Sequence, residues 1–261
     1  MARPVTVAAT IDESTAHSAL LRSFDVAPPA LADSRTLLHR VDRKYLLAPG
    51  ALELLLRYLR PEHLVLLAGQ AAWARYESVY FDSVGRDLYH AHRRGLMPRH
   101  KVRIRHHLDR QLTFLEIKRK ERGGRTVKFR VSLPFGQVDL GPDERRFIEA
   151  HTPLPAASLV PAVAISFLRL TLLGRTANER VTLDQHLTVV AGGHTLSVPP
   201  AVIAEVKQPR LSHHTDAVSA LRSVHAREMA FSKYCLGTFL SAPVHGSVFR
   251  PLLRALDRIS A

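Results

Sequence analysis

Lys101, Arg103 and Arg105 occupy every second position of one segment, and Glu116, Lys118 and Lys120 do the same in the next. In an extended strand alternate side chains share a face, so each set presents its charges together, while Val102 and Ile104, or Leu115 and Ile117, take the opposite side. The same alternation recurs in Arg40 to Tyr45, Thr126 to Val131, Glu179 to Asp184 and Ile203 to Lys207. One such strand is the solvated face of an ordinary antiparallel sheet. The set is different, because it concentrates Arg and Lys with a few carboxylates at Asp42, Glu116, Asp184 and Glu205. If the strands close into a barrel with that face inward, the lumen is a basic channel holding a few metal-ligand candidates. Such a channel suits a polyanion.

The elements that must position these residues follow from turn and helix signals. The strands with Lys101 and Lys118 form a hairpin through Leu108 to Gln111, and Glu121 to Arg125 turns into a third basic strand, with Gly123 and Gly124 permitting positive φ. Three basic strands in succession are therefore neighbours. Tyr76 to Asp82 alternates as a further strand, and a short helix or turn over Arg86 to Arg94 is closed by Gly95. Pro49 to Arg60 reads as a helix with an apolar stripe of Leu52, Leu55, Leu56 and Leu59, and Pro142 to His151 as one with Asp143 and Glu144 at its positive end. Strands with Arg169 and with Arg180 meet near Gly174, and Gly192-Gly193 turns toward the strand with Glu205. Ser212 to about Arg227 is amphipathic helix, and Phe231 to Cys235 opens a short final one.

Residues 1–34, rich in Ala, Pro, Ser and Thr, read as a poorly ordered arm, residues 35–241 as one folded unit and residues 242–261 as a weakly patterned tail. The chain has 261 residues, enough for one substantial core, and a net charge of +14, which favours an anionic partner without naming it. One cysteine, Cys235, rules out an internal disulfide framework and agrees with a reducing compartment. No apolar run approaches the roughly 20 residues that span a bilayer, and the N-terminus lacks signal-peptide order, so the expectation is a soluble cytoplasmic protein. His106-His107 and His213-His214 have no cysteine partners and no finger or zincin spacing, and read as surface histidines; His90 and His92 have no assigned role.

The motifs Arg40-x-Asp42-x-Lys44-Tyr45, Ser78-x-Tyr80-Phe81-Asp82, Lys101-x-Arg103-x-Arg105, Glu116-x-Lys118, the Arg169 strand, Arg180 to Asp184, Glu205-x-Lys207 and Phe231 to Tyr234 resemble, in order and spacing, the VTC domain. That domain is the polyphosphate polymerase module of the vacuolar transporter chaperone complex, in the triphosphate tunnel metalloenzyme (CYTH-like) superfamily. The resemblance covers roughly Arg40 to Leu240 and implies an α+β fold: an antiparallel β-barrel forming a tunnel, with flanking helices. It also implies that Arg103, Arg105, Lys118, Arg169 and Arg180 grip phosphates, with Lys44 and Lys233, and that Lys128 or Arg130 adds a contact. Glu205 matches the family's metal-binding carboxylate, for Mn2+ or Mg2+. The superfamily opens on Glu-x-Glu-x-Lys, whereas this chain reads Arg40-x-Asp42-x-Lys44; losing the first carboxylate favours polymerase over simple triphosphatase chemistry.

The expectation is a metal-dependent polymerase that moves the γ-phosphoryl group of ATP onto a polyphosphate chain, with Arg103, Arg105, Lys118, Arg180 and Glu205 at the reacting phosphates. Any translocation would need a separate membrane protein as partner. Two rivals share the scaffold: hydrolysis of tripolyphosphate or a nucleoside triphosphate, and non-catalytic reception of polyphosphate or inositol pyrophosphate. A stable nucleic-acid complex is not expected, since the basic strands lack aromatic interleaving and there is no helix-turn-helix or zinc module. A structural alternative stands beside two of the carboxylates: Glu205 as a salt bridge to Lys207, and Asp184 as a hydrogen-bond acceptor at a strand end.

Overall fold

A computed structural model describes residues 15–34 and 41–260. In chain order the elements are α1 (Thr15–Arg22), α2 (Pro29–Ser34), β1 (Val41–Leu47), α3 (Leu52–Leu59), β2 (His63–Val65), β3 (Trp73–Asp82), α4 (Asp87–Arg93), β4 (Arg99–His107), β5 (Leu112–Lys120), β6 (Thr126–Leu133), α5 (Pro142–His151), β7 (Val160–Gly174), β8 (Arg180–Ala191), β9 (His194–Ser197), β10 (Val202–Gln208), α6 (Asp216–Ser223), β11 (Arg227–Glu228), α7 (Lys233–Ser241) and α8 (Arg250–Ser260). The strands form one antiparallel sheet in the order β11-β1-β10-β8-β7-β3-β4-β5-β6, with β2 added to β7 and β9 to β8. The three basic strands β4, β5 and β6 are neighbours, as their alternation predicts.

The convex side of the sheet is apolar. Leu52, Leu55, Leu56 and Leu59 of α3, with Ala217, Val218 and Leu221 of α6, pack on Leu170, Val181, Leu183, Ala204 and Val206. Farther along, Ile148 of α5 closes over Val102, Ile104, Leu115 and Ile117. Because side chains alternate, burying these residues outward turns the charged ones toward the concave side.

The sheet curls, and it does so without closing. β6 pairs only with β5, and at the other end β11 pairs only with β1, so among the described residues no ladder joins the two edges. The expected closed barrel is in this respect an open, curled sheet. The outer edge of β1 is already occupied: Tyr45 and Leu46 pair with Glu228 and Arg227, and the Met229 N–H donates to the Lys44 carbonyl at 2.9 Å. The free edge strand β6 carries exposed Lys128 and Arg130, charges of the kind that discourage pairing with another chain.

The ends of the chain depart from expectation. The arm expected over residues 1–34 is helical from Thr15, with Leu21 and Phe24 buried in the α3 core, while residues 1–14 lie outside the described part. Ala27 joins Leu64 and Leu173, and the Ala27 N–H donates to the Val65 carbonyl at 2.8 Å. At the other end the expected tail includes α8, whose Leu252, Ala255 and Leu256 pack on Leu46, Ile203, Phe231 and Leu236. Spacing of i, i+3 and i+4 gathers those three apolar residues on one helix face. α7 enters the concave side itself, where Gly237 lies so close to Val163, Ile165 and Val189 that a Cβ would meet them at 3.0–3.4 Å.

Among the described residues no helix is long and apolar enough to cross a membrane.

Candidate active site

Residues paired across an antiparallel ladder share a face, so the registers give the concave surface directly. On β4, β5 and β6 one row reads Lys101, Lys118, Lys128 and the next Arg103, Glu116, Arg130. Both Lys128 and Arg130 therefore face the concave side, and the choice left open between them resolves to both. On the other arm Asp42, Lys207 and Arg180 form one row, Lys44, Glu205 and Thr182 a second, and Asp184 pairs with Arg169. Lys233 joins from the first residue of α7. The candidate residues Lys44, Arg103, Arg105, Lys118, Lys128, Arg130, Arg169, Arg180, Glu205 and Lys233 are thus brought to one surface, while Arg40 lies outside the described residues. Curling makes the arms face each other: Lys118 on β5 feels the charges of Lys44 and Asp42 on β1 and Glu205 on β10.

Most of the carboxylates hold cations in place. Asp184, 3% exposed, takes Arg169 through two bonds of 2.6 and 2.7 Å and also pairs with Lys233. Burial works against its charge, but Arg169 and Lys233 hold its carboxyl well below the usual range. Glu116 likewise resists burial because Arg103 lies at 2.7 Å, with Arg105 at 3.8 Å, and it too stays far below the usual range. Glu205 bonds to Lys207 at 2.7 Å, so the salt-bridge reading of that residue describes its position here. Against burial, Lys207 and then Lys44 keep the Glu205 carboxyl low. Asp184 is also the hydrogen-bond acceptor anticipated for it, with ionic partners.

Aromatic and hydroxyl groups fix the arginines further. Arg103 donates to Tyr80 Oη at 2.8 Å, and Arg105 donates to Ser78 Oγ at 3.1 Å. Arg105 and Arg169 lie over the Tyr76 ring at 5.6 and 5.3 Å, within cation–π range. Pre-oriented guanidinium forks suit bidentate contact with phosphate.

The lysines are less well compensated. Burial, followed by Lys44, pulls the Lys118 ammonium pKa down, with Asp42 and Glu205 offsetting in part. Lys101 falls to about 7, first through burial and then through Lys44, Lys118 and Arg99. A buried excess of positive charge is stabilised by an anion that supplies the missing partner.

Sequence reasoning passed over Lys101 and Lys207 as site residues, although the alternation displayed both. Tyr80 enters only within the Ser78-x-Tyr80-Phe81-Asp82 motif and Tyr76 only within a strand, and neither reads as a site residue, because an aromatic residue in a strand usually reports packing. A resident metal would find a small donor set: among the described residues no three His, Cys, Asp or Glu side chains group as ligands. Glu205 and Asp42 sit at diagonal register positions. One or two carboxylates completed by phosphate oxygens and water is a coordination that Mg2+ accepts, so the residues fit an ion that arrives with phosphate.

The model of the VTC domain matches residues 39–241. The chain belongs to the VTC domain family. Among solved structures it is similar to a Hippeastrum protein at 14% identity and a TM-score of 0.51, covering 78% of this chain and 97% of that one. A proposed adenylate cyclase from Bacillus halodurans aligns at 13% identity with a TM-score of 0.47, covering 81% and 96% of the two chains. None of the curated proteins matches this chain. The VTC domain here has the triphosphate tunnel fold, an antiparallel curled sheet with flanking helices, and membership supports a role connected with polyphosphate or triphosphate.

Proposed function

We propose that this VTC domain is a metal-dependent polyphosphate polymerase that uses ATP. The observation that supports it is the concave surface, where Lys and Arg from β1, β4, β5, β6, β7, β8, β10 and α7 outnumber the carboxylates and are held at fixed positions. In this reading an oxygen of the chain's terminal phosphate attacks the γ-phosphorus of ATP as the bond to the bridging oxygen of ADP breaks. Arg103, Arg105, Lys118 and Arg180 hold the reacting phosphates, and Lys44, Lys128, Arg130, Arg169 and Lys233 the rest of the chain. In-line positioning and charge stabilisation supply most of the catalysis that phosphoryl transfer needs, and no nucleophilic side chain is required. Glu205, released by Lys207, would hold Mn2+ or Mg2+, which when bound offsets charge on the phosphate oxygens. The cytoplasm is the expected setting, and delivery of product across a membrane would fall to a partner protein.

The second reading is hydrolysis, favoured by the triphosphatase activity described as dominant in the Hippeastrum protein. Purified protein incubated with ATP and Mn2+, followed on a gel for long-chain polyphosphate and by assay for free phosphate, separates the two. Polymer made by the wild type and absent with Glu205→Ala is the expected result. Free phosphate alone assigns the site to hydrolysis, and neither product with intact tripolyphosphate binding assigns it to reception.

A further inference from the structure

The segment Phe231 to Lys233, which starts α7, lies where β1, β4 and β8 meet. Lys44 Nζ donates to the Phe231 carbonyl at 2.7 Å, Lys101 Nζ donates to Ser232 Oγ at 2.8 Å, and Lys233 pairs with Asp184. Three ammonium groups from three elements therefore surround one helix start. Ser232 Oγ also accepts the Cys235 N–H at 3.3 Å, and its side chain bonds the Cys235 thiol. The first amides of α7 add the positive end of the helix dipole.

Past its first residues α7 is held by apolar packing. Phe231 and Leu236 pack with Leu46, Ile203 and Leu256, and Tyr234 packs with Val163, Ile165 and Val189.

Lys101, like Lys44, bonds to no carboxylate among the described residues, but Lys44 stands opposite Glu205 in the ladder whereas Lys101 stands opposite Lys118. Lys233 has Asp184, Lys207 has Glu205 and Arg103 has Glu116, whereas among the described residues no carboxylate pairs with Lys101. The row it heads on the sheet, Lys101, Lys118 and Lys128, contains no acid. Resting on the phosphate-lumen reading above, we propose that Lys101 is a phosphate-contacting residue that, with Lys44, Lys233 and Ser232, forms the pocket for one terminal phosphoryl group of the bound chain.

The charges facing Lys101 are Lys44 from β1, Lys118 from β5, Arg99 on its own strand, the Cys235 thiol from α7 and, from α4, His92, which burial and then Lys101 and Arg99 push down to about 2. Only the thiol favours the charged ammonium. With its pKa near 7 in the free protein, Lys101 is largely neutral at pH 8, and an arriving phosphate restores its charge by taking up a proton.

Isothermal titration with tripolyphosphate at pH 8, in two buffers of different ionisation enthalpy, tests this. The wild type is expected to take up close to one proton more per ligand than Lys101→Met, and Lys101→Met to bind about tenfold more weakly. Lys101→Arg is expected to keep the affinity and lose the extra proton uptake, since guanidinium stays charged. Without ligand at pH 8, Lys101→Met should melt higher than the wild type, because folding no longer has to strip a proton from a buried lysine; a residue kept only for its bond to Ser232 would melt lower when replaced. Equal affinity and equal proton uptake in wild type and Lys101→Met overturn the proposal while leaving phosphate binding intact. Failure of the wild type to bind tripolyphosphate overturns the lumen reading and the proposal with it.

Discussion

Replacing Asp184 by Asn keeps the shape of the side chain and removes the charge that Arg169 and Lys233 share. Both cations are well buried, and the two Arg169 bonds at 2.6 and 2.7 Å converge on that one carboxylate. Removing one partner of a buried ion pair strands the other charge and costs about 3–5 kcal/mol. For a chain of this size each kcal/mol moves the melting temperature by about 2–4 °C, so Asp184→Asn should melt roughly 6–20 °C lower than the wild type. Urea unfolding at pH 7 gives the free energy directly, and tripolyphosphate should restore more stability to the variant than to the wild type, because the stranded cations accept phosphate. The pH dependence carries a sign. The folded-state pKa of Asp184 is depressed, so its contribution is complete above the ordinary aspartate pKa of about 3.9 and disappears as pH falls through the folded value. Acid titration of the wild type should show that loss, and the variant should lack it. A loss below about 1 kcal/mol at pH 7 would mean that water in the lumen solvates Arg169 and Lys233 well enough to replace Asp184, and the reasoning from burial would fail.

Two further outcomes are expected. Lys118→Met should raise the melting temperature of the free protein and weaken tripolyphosphate binding about tenfold, with a shallower dependence on salt, measured by thermal shift and by titration at several ionic strengths. Glu179, 1% exposed, accepts Gln208 Nε2 at 3.2 Å and the Ala217 N–H of α6 at 3.3 Å, and lies 3.2 Å from His63 Nε2. Burial raises its pKa but the bonds to His63, Thr215 and Gln208 bring it below the usual value, so it stabilises the fold above pH about 4.3 and stops doing so on acidification. Glu179→Gln should cost about 2–3 kcal/mol at pH 7 in urea unfolding and flatten the acid side of the stability curve.

Strand period made the cationic surface legible in the sequence. Once Val102 and Ile104 are assigned to a core, Lys101, Arg103 and Arg105 have no other side to occupy, and the same holds for Lys118 opposite Ile117. Lys128 and Arg130 lie two residues apart, so the period already places them together. What the period does not carry is which strands end as edges, since that depends on Arg227 and Glu228, a two-residue strand with no alternation to recognise, capturing β1. Nor does it carry ion pairing. Glu205 reads as a metal ligand by position, and its bond to Lys207 follows from side-chain reach within one face. Composition misled at the ends: Ala- and Pro-rich sequence hides Leu21 and Phe24, whereas the helical spacing of Leu252, Ala255 and Leu256 over the 11 residues of α8 is there to be read.

Within the lumen the carboxylates and lysines divide the work. Asp184, Glu116 and Glu205 each neutralise a cation that would otherwise be stranded, so Arg169, Arg103 and Lys207 are positioned at little net charge before any ligand arrives. On β4 to β6 the row Lys101, Lys118, Lys128 lacks an acid in register, and burial first, then the neighbouring cations, depress the ammonium pKa values of Lys101 and Lys118. A ligand that satisfied only the first set would have to displace existing ion pairs and gain little. One that reaches the lysine row gains the full attraction and relieves repulsion already built into the fold. Affinity is therefore concentrated on the β4 to β6 arm, with the paired cations supplying orientation, and replacing the lysines should lower binding more than replacing the same number of paired arginines. Measured tripolyphosphate affinities for Lys118→Met and Arg103→Met compare the two directly, and a larger loss for Arg103→Met would reverse that assignment.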